Sequence, residues 1–107
     1  MKIASIDIGS NTVLLLIIEI ENKSIISEMN FFRIGKLGKN LAAGGLINNE
    51  RIEILFQILD DFFTIIKENN CDKIFITATN ALRIASNGDE IADLILSKFR
   101  TNVDIIP

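Results

Sequence analysis

The sequence predicts an α/β domain, and two features of its hydrophobic pattern lead to this prediction. The first 34 residues consist of three apolar runs separated by short polar turns, which is typical of consecutive β-strands. From residue 48 onward, segments with apolar residues spaced by three and four alternate with short apolar runs, which is typical of helices that connect strands. The chain has 107 residues, 49% of them hydrophobic, which is enough for one domain with a core.

The N-terminal third is predicted to be an antiparallel meander. Lys2 to Ile8 forms the first strand, Gly9 to Thr12 supplies turn residues, and Val13 to Glu21 forms the second strand. A polar turn over residues 21–24 leads to a third strand from Ile25 to Ile34. The next segment, GKLGKNLAAGG, has four glycines and is predicted to be a loop with at most one helical turn. We call this segment, residues 35–45, the glycine loop.

The period then changes to that of a helix running from Asn48 to about Glu68. Five apolar residues fall at spacings of three and four and line one face: Ile52, Leu55, Leu59, Phe62 and Ile66. Asn48 or Asn49 is the predicted N-cap, and Glu50 is favoured in the first turn by the helix dipole.

Two strands and two helices complete the predicted elements. KIFITA, at residues 73–78, has strand character, and a short helix is predicted from about Thr79 to Ser86. The pair Asn87-Gly88 breaks this helix, and Asp89 is predicted to cap a further helix through Phe99. Residues 103–106 form the last predicted strand.

The element order is therefore β-β-β-α-β-α-β. Helical crossovers imply parallel strands and right-handed connections. A five-stranded mixed sheet in the spatial order 3-2-1-4-5, with helices against its faces, satisfies both conditions. This is the topology of the ribonuclease-H-like half-domain.

Composition excludes several classes of function. The net charge is −3 and the 11 Lys and Arg residues are scattered, so the basic patch of a nucleic-acid-binding protein is missing. There is no His and Cys71 is the single cysteine, which excludes an internal disulfide and a metal site of the Cys/His type. The longest apolar run, Val13 to Ile18, is too short for a membrane helix, and the N-terminus does not resemble a signal peptide. We therefore expect a soluble, cytoplasmic protein without a membrane partner.

The turn after the first strand contains the first candidate site. In open α/β sheets ligands bind beyond the carboxyl ends of the strands, where Gly9, Ser10, Asn11 and Thr12 lie. Their hydroxyl, amide and backbone N–H groups are suited to phosphate. Asp7 would repel phosphate unless a cation lay between them, so its carboxylate is the predicted Mg²⁺ ligand. Composition alone leaves a second interpretation open, a plain hairpin with an Asx-type turn.

A second candidate lies where the fourth strand runs into a helix. If the first and fourth strands are parallel neighbours, Thr79 and Asn80 place hydroxyl, amide and N–H donors beside the Asp7 turn. Arg83, one turn further on, would contact phosphate with its guanidinium group. The alternative for Arg83 is a solvated residue paired with a nearby carboxylate.

The Gly-Lys pair in the glycine loop does not make a P-loop. The position five before Gly38 is Arg33 rather than glycine, and Asn40 stands where Ser or Thr would bind the metal. The loop is predicted to be a mobile surface loop. In the alternative interpretation its lysines are directed toward an anionic ligand.

Three segments resemble the Ppx/GppA phosphatases, which are exopolyphosphatases and guanosine pentaphosphate phosphohydrolases of the actin-like ATPase superfamily. SIDIGSNTVLLLI, at residues 5–17, resembles the first phosphate motif of that family. KLGKNLAAGGLI, at residues 36–47, resembles its R-L-G-E-G-L loop, although Lys36, Lys39 and Asn40 depart from the pattern and leave the role of this loop open. ATNALRIASNGDE, at residues 78–90, resembles its A-T-S-A-x-R-x-A-x-N segment.

The resemblance implies a two-lobed enzyme with Mg²⁺ in its cleft and water attacking a terminal phosphoryl group. Asp7, Ser10 and Asn11 match the family's phosphate loop, and Arg83 matches its phosphate-contacting arginine. Polyphosphate or guanosine pentaphosphate would be the substrate, and the full-length protein would be a homodimer. The alternatives are a lobe of a sugar- or acetate-kinase-like phosphotransferase and a non-catalytic actin-like binding module.

The family's catalytic glutamate lies in a G-x-E-E-A segment after the strand that here ends at Pro107, and its second phosphate motif, D-I-G-G-G-S/T, does not occur in the sequence. Asp89, Glu90 and Asp104 do not stand at the position of the glutamate. Residues 1–107 are therefore expected to form the N-terminal lobe, truncated before the general base and paired with a second lobe of the same chain. No residue of the sequence is expected to be catalytic, and the isolated lobe is expected to be inactive.

Overall fold

A computed structural model describes residues 1–42 and 44–107; Ala43, part of the predicted glycine loop, lies outside the described residues. The strands are β1 (Lys2–Ile8), β2 (Thr12–Glu21), β3 (Ser24–Ile34), β4 (Lys73–Ala78) and β5 (Val103–Ile105). The helices are α1 (Asn49–Glu68), α2 (Ala81–Ile84) and α3 (Gly88–Phe99).

The five strands form one sheet in the order β3-β2-β1-β4-β5, which confirms the predicted topology. β1 pairs with β2, and β2 with β3, in antiparallel fashion. β4 is parallel to both of its neighbours, β1 and β5. The sheet therefore joins an antiparallel meander to a parallel half, and β1 is the strand at which the two halves meet.

Both long helices pack on the same face of the sheet, which corrects the expectation of helices against both faces. The connections from β3 to β4 and from β4 to β5 cross the sheet in the same direction, so two right-handed crossovers put α1 and α3 on one side. The opposite side, which we call the open face, has no helix over it in the described part of the chain. Its residues include Ile3, Ser5, Asp7, Leu14, Leu16, Ile18, Phe32, Ile34, Phe75, Thr77 and Asp104.

The core lies between the sheet and the two long helices. From the sheet it takes alternate residues, among them Ile6, Leu15 and Ile76, each at most 1% exposed. From the helices it takes the predicted apolar stripe of α1 and, from α3, Ile91 and Ile95. Each of these large side chains contributes roughly 1.5–3 kcal/mol to stability by leaving water.

Helix α1 begins and ends at residues that the sequence indicates. The side-chain oxygen of Asn48 accepts a hydrogen bond from the backbone N–H of Arg51 at 2.9 Å, which confirms Asn48 as the N-cap. At the other end, the side chain of Asn69 donates to the carbonyl oxygen of Ile65 at 2.8 Å. None of the helices in the described chain is long and apolar enough to cross a bilayer.

The corner between β4 and α3 differs from its prediction in two ways. α2 spans only Ala81–Ile84, because the backbone of Asn80 has φ 46° and ψ −95° and cannot continue a helix from Thr79. α3 begins at Gly88, so the expected cap, Asp89, lies inside its first turn. The residue at the N-cap position is Asn87, whose side chain bonds to Ile47 instead of to the helix.

Candidate functional site

Parallel pairing of β1 and β4 brings the two candidate turns together. Asp7 is the register partner of Thr77, and Ile8 is the partner of Ala78, so the two strands end side by side. Beyond this pairing, the backbone N–H of Thr79 donates to the carbonyl oxygen of Ile8 at 3.3 Å. The predicted neighbourhood of the Asp7 turn and the Thr79 turn is therefore present at the carboxyl edge of the sheet.

The carboxylate of Asp7 lies on the open face at this edge. The Asp7 side chain is exposed, and its carboxylate makes no hydrogen bond or ion pair with the described residues. The described chain contains no group of three or more His, Cys, Asp or Glu side chains that would hold a metal by itself. Mg²⁺ commonly takes one or two protein carboxylates and completes its shell with phosphate oxygens and water. The single unpaired carboxylate of Asp7 fits that donor set when the ligand supplies the phosphate oxygens.

The turn from Gly9 to Thr12 is closed by its backbone. The N–H of Gly9 donates to the carbonyl oxygen of Thr12 at 3.0 Å, and a Cβ atom on Gly9 would lie 2.9 Å from that oxygen. Glycine is therefore required by the close approach of the turn to itself. Within the described chain neither Asp7 nor Asn11 caps the turn as the Asx interpretation requires.

Two backbone N–H groups of this turn are available to a ligand. In residues 1–42 and 44–107, the N–H groups of Ser10 and Asn11 donate to no protein acceptor. The side chain of Asn11 makes one long contact, 3.4 Å from its amide nitrogen to the hydroxyl oxygen of Thr12. Consecutive unpaired N–H groups favour an anion, as the sequence predicts for this turn.

The glycine loop packs against the same turn, a contact that is not predicted from the sequence. The N–H of Gly38 donates to the carbonyl oxygen of Ser10 at 2.8 Å, and the N–H groups of Gly35 and Lys36 both donate to the carbonyl oxygen of Asn11 at 3.0 Å. Lys36 and Lys39 are exposed beside these bonds. No local sequence pattern predicts this contact, because it joins segments that are far apart in the sequence.

The second turn presents its side chains differently from the prediction. The N–H of Thr79 donates to the carbonyl oxygen of Ile8, so the Thr79 hydroxyl is the group left for a ligand. The side-chain oxygen of Asn80 accepts a hydrogen bond from the Arg83 guanidinium at 3.1 Å. Arg83 is exposed, and within the described chain it forms no ion pair with a carboxylate, contrary to the alternative interpretation.

One further carboxylate joins this edge of the open face. Asp104 on β5 is the register partner of Thr77, so Asp7 and Asp104 flank Thr77. Two strand spacings place their Cα atoms about 10 Å apart. The amide nitrogen of Asn102 lies 3.3 Å from the Asp104 carboxylate. The position of Asp104 depends on the register of β5, which the sequence does not specify.

The site is thus an exposed edge at which one row of side chains and two turns converge. Asp7, Thr77 and Asp104 form the row, and the turns contribute the N–H groups of Ser10 and Asn11 and the guanidinium of Arg83. The backbone of the glycine loop, which carries Lys36 and Lys39, is bonded to the first of these turns. The arrangement offers cations and N–H donors for an extended polyanion and a carboxylate for a divalent cation.

Comparison with known proteins identifies the family to which this chain is similar. A sequence model of the Ppx/GppA phosphatase family matches residues 16–107. Exopolyphosphatase 1 of Mycobacterium tuberculosis is 26% identical over 92 residues, which cover 85% of this chain and 27% of that protein. The chain therefore spans about a quarter of the length of the curated relatives that it matches.

Solved structures resemble the entire chain. The crystal structure of an Aquifex aeolicus member of the Ppx/GppA family superposes with a TM-score of 0.92 at 32% identity, covering 99% of this chain and 35% of that one. An exopolyphosphatase from Cytophaga hutchinsonii superposes with a TM-score of 0.92 at 30% identity, covering 99% of this chain and 34% of that one. Thus the fold extends over all five strands, while two thirds of each solved chain has no counterpart here.

Proposed function

The chain belongs to the Ppx/GppA phosphatase family, and we propose that it is the N-terminal lobe of an enzyme that hydrolyses terminal phosphoanhydride bonds of polyphosphate. The observation that carries the proposal is the hydrogen bond from the Thr79 N–H to the Ile8 carbonyl oxygen. It joins the Asp7 turn to the segment that carries Arg83. A carboxylate and a guanidinium at one sheet edge are the groups that phosphoryl transfer uses for charge neutralisation.

In the proposed mechanism the chain binds and orients the terminal phosphates. The N–H groups of Ser10 and Asn11 would donate to phosphate oxygens, and the guanidinium of Arg83 would bind a further phosphate oxygen pair. Asp7 would hold Mg²⁺ together with phosphate oxygens and water. Bound there, the cation would neutralise charge that develops on the transferring phosphoryl group.

Activation of the attacking water is assigned to a residue that is not among residues 1–107. Phosphoryl transfer needs a positioned water as well as charge neutralisation. In the described chain, Asp7 and Asp104 are the carboxylates of the edge row, and Asp7 is committed to the cation in this proposal. The general-base glutamate is expected in the segment that follows Pro107 in the family. We accordingly expect the 107-residue chain to bind phosphate chains weakly and to release no phosphate.

Guanosine pentaphosphate has the same terminal phosphoanhydride as polyphosphate and is the alternative substrate. The edge described above would contact the phosphates, which the two substrates share, so it does not choose between them. A cytoplasmic homodimer of two-lobed chains remains our proposal for the whole protein; the single cysteine of residues 1–107, which is unpaired, is compatible with the cytoplasmic part of it.

The test is titration of the 107-residue chain with tripolyphosphate, with and without Mg²⁺, by calorimetry. Asp7→Asn should abolish the effect of Mg²⁺, and Arg83→Gln should weaken binding about tenfold, the loss expected for a charged hydrogen bond. Asp61→Asn on α1 and Arg100→Gln at the far end of α3 are controls that should bind like the parent chain.

Two results would contradict the proposal. Binding that is unaffected by Asp7→Asn and Arg83→Gln would place the phosphates elsewhere. Steady phosphate release from long-chain polyphosphate by the 107-residue chain would show that the general base is already present. Transfer of phosphate from ATP to a sugar or acetate would favour the kinase alternative instead.

A further inference from the structure

We propose that Asn87 is a positioning residue for the phosphate site, although it is not part of the edge that would contact phosphate. Its partly buried side chain makes two hydrogen bonds with the backbone of one residue, Ile47. The side-chain oxygen accepts from the N–H of Ile47 at 3.0 Å, and the side-chain nitrogen donates to the carbonyl oxygen of Ile47 at 3.0 Å. The site that it positions is the one given under the proposed function, and to that extent this inference rests on that function.

The pairing with Ile47 is the last of a short series of bonds between two segments. The N–H of Gly44 donates to the carbonyl oxygen of Ile84 at 3.1 Å. The carbonyl oxygen of Gly45 accepts from the N–H of Ser86 at 2.8 Å and from its hydroxyl at 3.2 Å. Residues 44–47 are thereby fixed along residues 84–87, and Asn87 contributes the only side chain of the series that both donates and accepts.

The other end of the glycine loop is fixed to the phosphate turn. Gly35, Lys36 and Gly38 donate their N–H groups to the carbonyl oxygens of Asn11 and Ser10, as described above. The glycine loop therefore spans from the turn that follows β1 to the corner that follows α2. Between these ends, the N–H groups of Lys39, Leu41 and Gly45 donate to the carbonyl oxygens three residues before them.

Ala81 and Leu82, beside Arg83, are buried in the core, but in the described chain the backbone of this segment is bonded to the sheet only as far as Thr79. After Thr79, the backbone dihedral angles of Asn80 lie outside the regions of regular secondary structure, and α2 is a single turn of four residues. Behind α2 the corner is tightly packed: a Cβ atom on Gly88 would lie 1.8 Å from the carbonyl oxygen of Leu82. Gly88 also donates its N–H to the carbonyl oxygen of Ala85 at 3.1 Å, so fixing Asn87 to Ile47 also restrains the backbone that carries Arg83.

The test has two readouts in the 107-residue chain. The first is amide hydrogen exchange at Gly35 and Gly38, measured by NMR without any ligand. Asn87→Ala should raise both exchange rates about tenfold, because the attachment at one end of the glycine loop loses its two side-chain hydrogen bonds. Asn69→Ala, which removes a side-chain hydrogen bond at the distant end of α1, is the matched control and should leave both rates unchanged.

The second readout is affinity for tripolyphosphate in a double-mutant cycle. Asn87→Ala should weaken binding roughly fivefold to tenfold in the parent chain, and should have a clearly smaller effect when Arg83 is already Gln, because only its action through the glycine loop is then left. A residue that only stabilises the fold would give the same loss in both backgrounds. Asn87→Asp keeps the bond from the Ile47 N–H and loses the bond to its carbonyl oxygen; because its added charge also opposes anion binding, it serves for the exchange measurement alone, if Asn87→Ala does not fold.

The outcomes separate this inference from the proposed function. If the parent chain does not bind tripolyphosphate, the proposed function fails, and the exchange rates alone decide whether Asn87 holds the glycine loop. Exchange at Gly35 and Gly38 that is unchanged in Asn87→Ala would overturn the inference. So would a loss of affinity that is equal with and without Arg83.

Discussion

The N–H of Gly38 donates to the carbonyl oxygen of Ser10 across 2.8 Å, so the glycine loop lies directly on the turn that follows β1. A Cβ atom on Gly38 would lie 3.0 Å from the Cβ of Ser10, which leaves little room for any other residue. This bond fixes the backbone that carries Lys36 and Lys39 beside the turn, where the sequence predicted a mobile surface loop.

The two lysines should therefore contribute to anion binding. We expect the double variant Lys36→Gln/Lys39→Gln to bind tripolyphosphate roughly threefold to tenfold more weakly, since exposed charges contribute up to about 1 kcal/mol each. The loss should shrink at high ionic strength because salt screens exposed charges. Lys23→Gln, in the hairpin turn between β2 and β3, is the control. Equal affinity of the double variant and the parent at low salt would show that the loop does not face the ligand.

Gly88 should be among the least replaceable residues of the chain. Alanine there would put its Cβ 1.8 Å from the Leu82 carbonyl oxygen, and we expect a loss of about 3 kcal/mol in the free energy of unfolding. Gly44 is the matched comparison, because a Cβ meets nothing within 4 Å there, while its φ of 77° costs alanine about 1 kcal/mol. Urea denaturation measures both, and similar losses for the two variants would contradict the packing described for the corner.

The hairpin between β2 and β3 should be stabilised by one substitution. Asn22 and Lys23 both have positive φ, 50° and 64°, as a two-residue type I′ turn requires, and glycine is the preferred second residue. Lys23→Gly should raise the free energy of unfolding by about 0.5–1 kcal/mol, because lysine is strained there. Lys23→Ala removes the same charge and keeps the strain, so it should give no gain. A gain from alanine would mean that charge, not backbone, is responsible.

The open face should make the isolated chain self-associate. Phe32 is 62% exposed and Phe75 is 51% exposed on this face, and Leu14 and Ile34 lie near them. Sedimentation should detect association at high concentration, which Phe32→Lys should reduce. Leu94→Lys, on the outer surface of α3 at 53% exposure, is the control and should not alter the association. A parent chain that stays monomeric at all concentrations would contradict this expectation.

Cys71 should react slowly with alkylating reagents. Burial raises the pKa of its thiol; Lys2 opposes this shift and Asp72 adds to it. Because the thiolate is the reactive form, alkylation near pH 8 should be slower in the folded chain than in urea. The shift also has a consequence for stability. Because the pKa of the Cys71 thiol is higher in the folded chain than in the unfolded chain, the neutral thiol stabilises the fold at pH values below the unfolded pKa. This contribution is lost as the pH rises through the folded pKa. Faster alkylation in the folded chain would contradict the direction of the shift.

Local patterns in the sequence determine the elements of this protein. Alternation of Ile6 and Ile8 with polar neighbours predicts β1, the spacing from Ile52 to Ile66 predicts α1, and Asn48 is recognisable as a cap. The right-handed crossover rule extends these elements to the strand order 3-2-1-4-5. The phosphate turn and Arg83 were identified by residue type and by resemblance, without knowledge of their contacts.

Only the tertiary structure decided which distant segments meet. The docking of Gly38 on Ser10 and the pairing of Asn87 with Ile47 consist of hydrogen bonds between segments separated by tens of residues, which leave no periodic trace in the sequence. The same holds for the shortened α2, because the backbone of Asn80 is held outside the helical region by attachments on both sides of it. Local propensity fixes the elements, and the packing of the complete chain fixes the site, because a site is made where elements from different parts of the sequence come into contact.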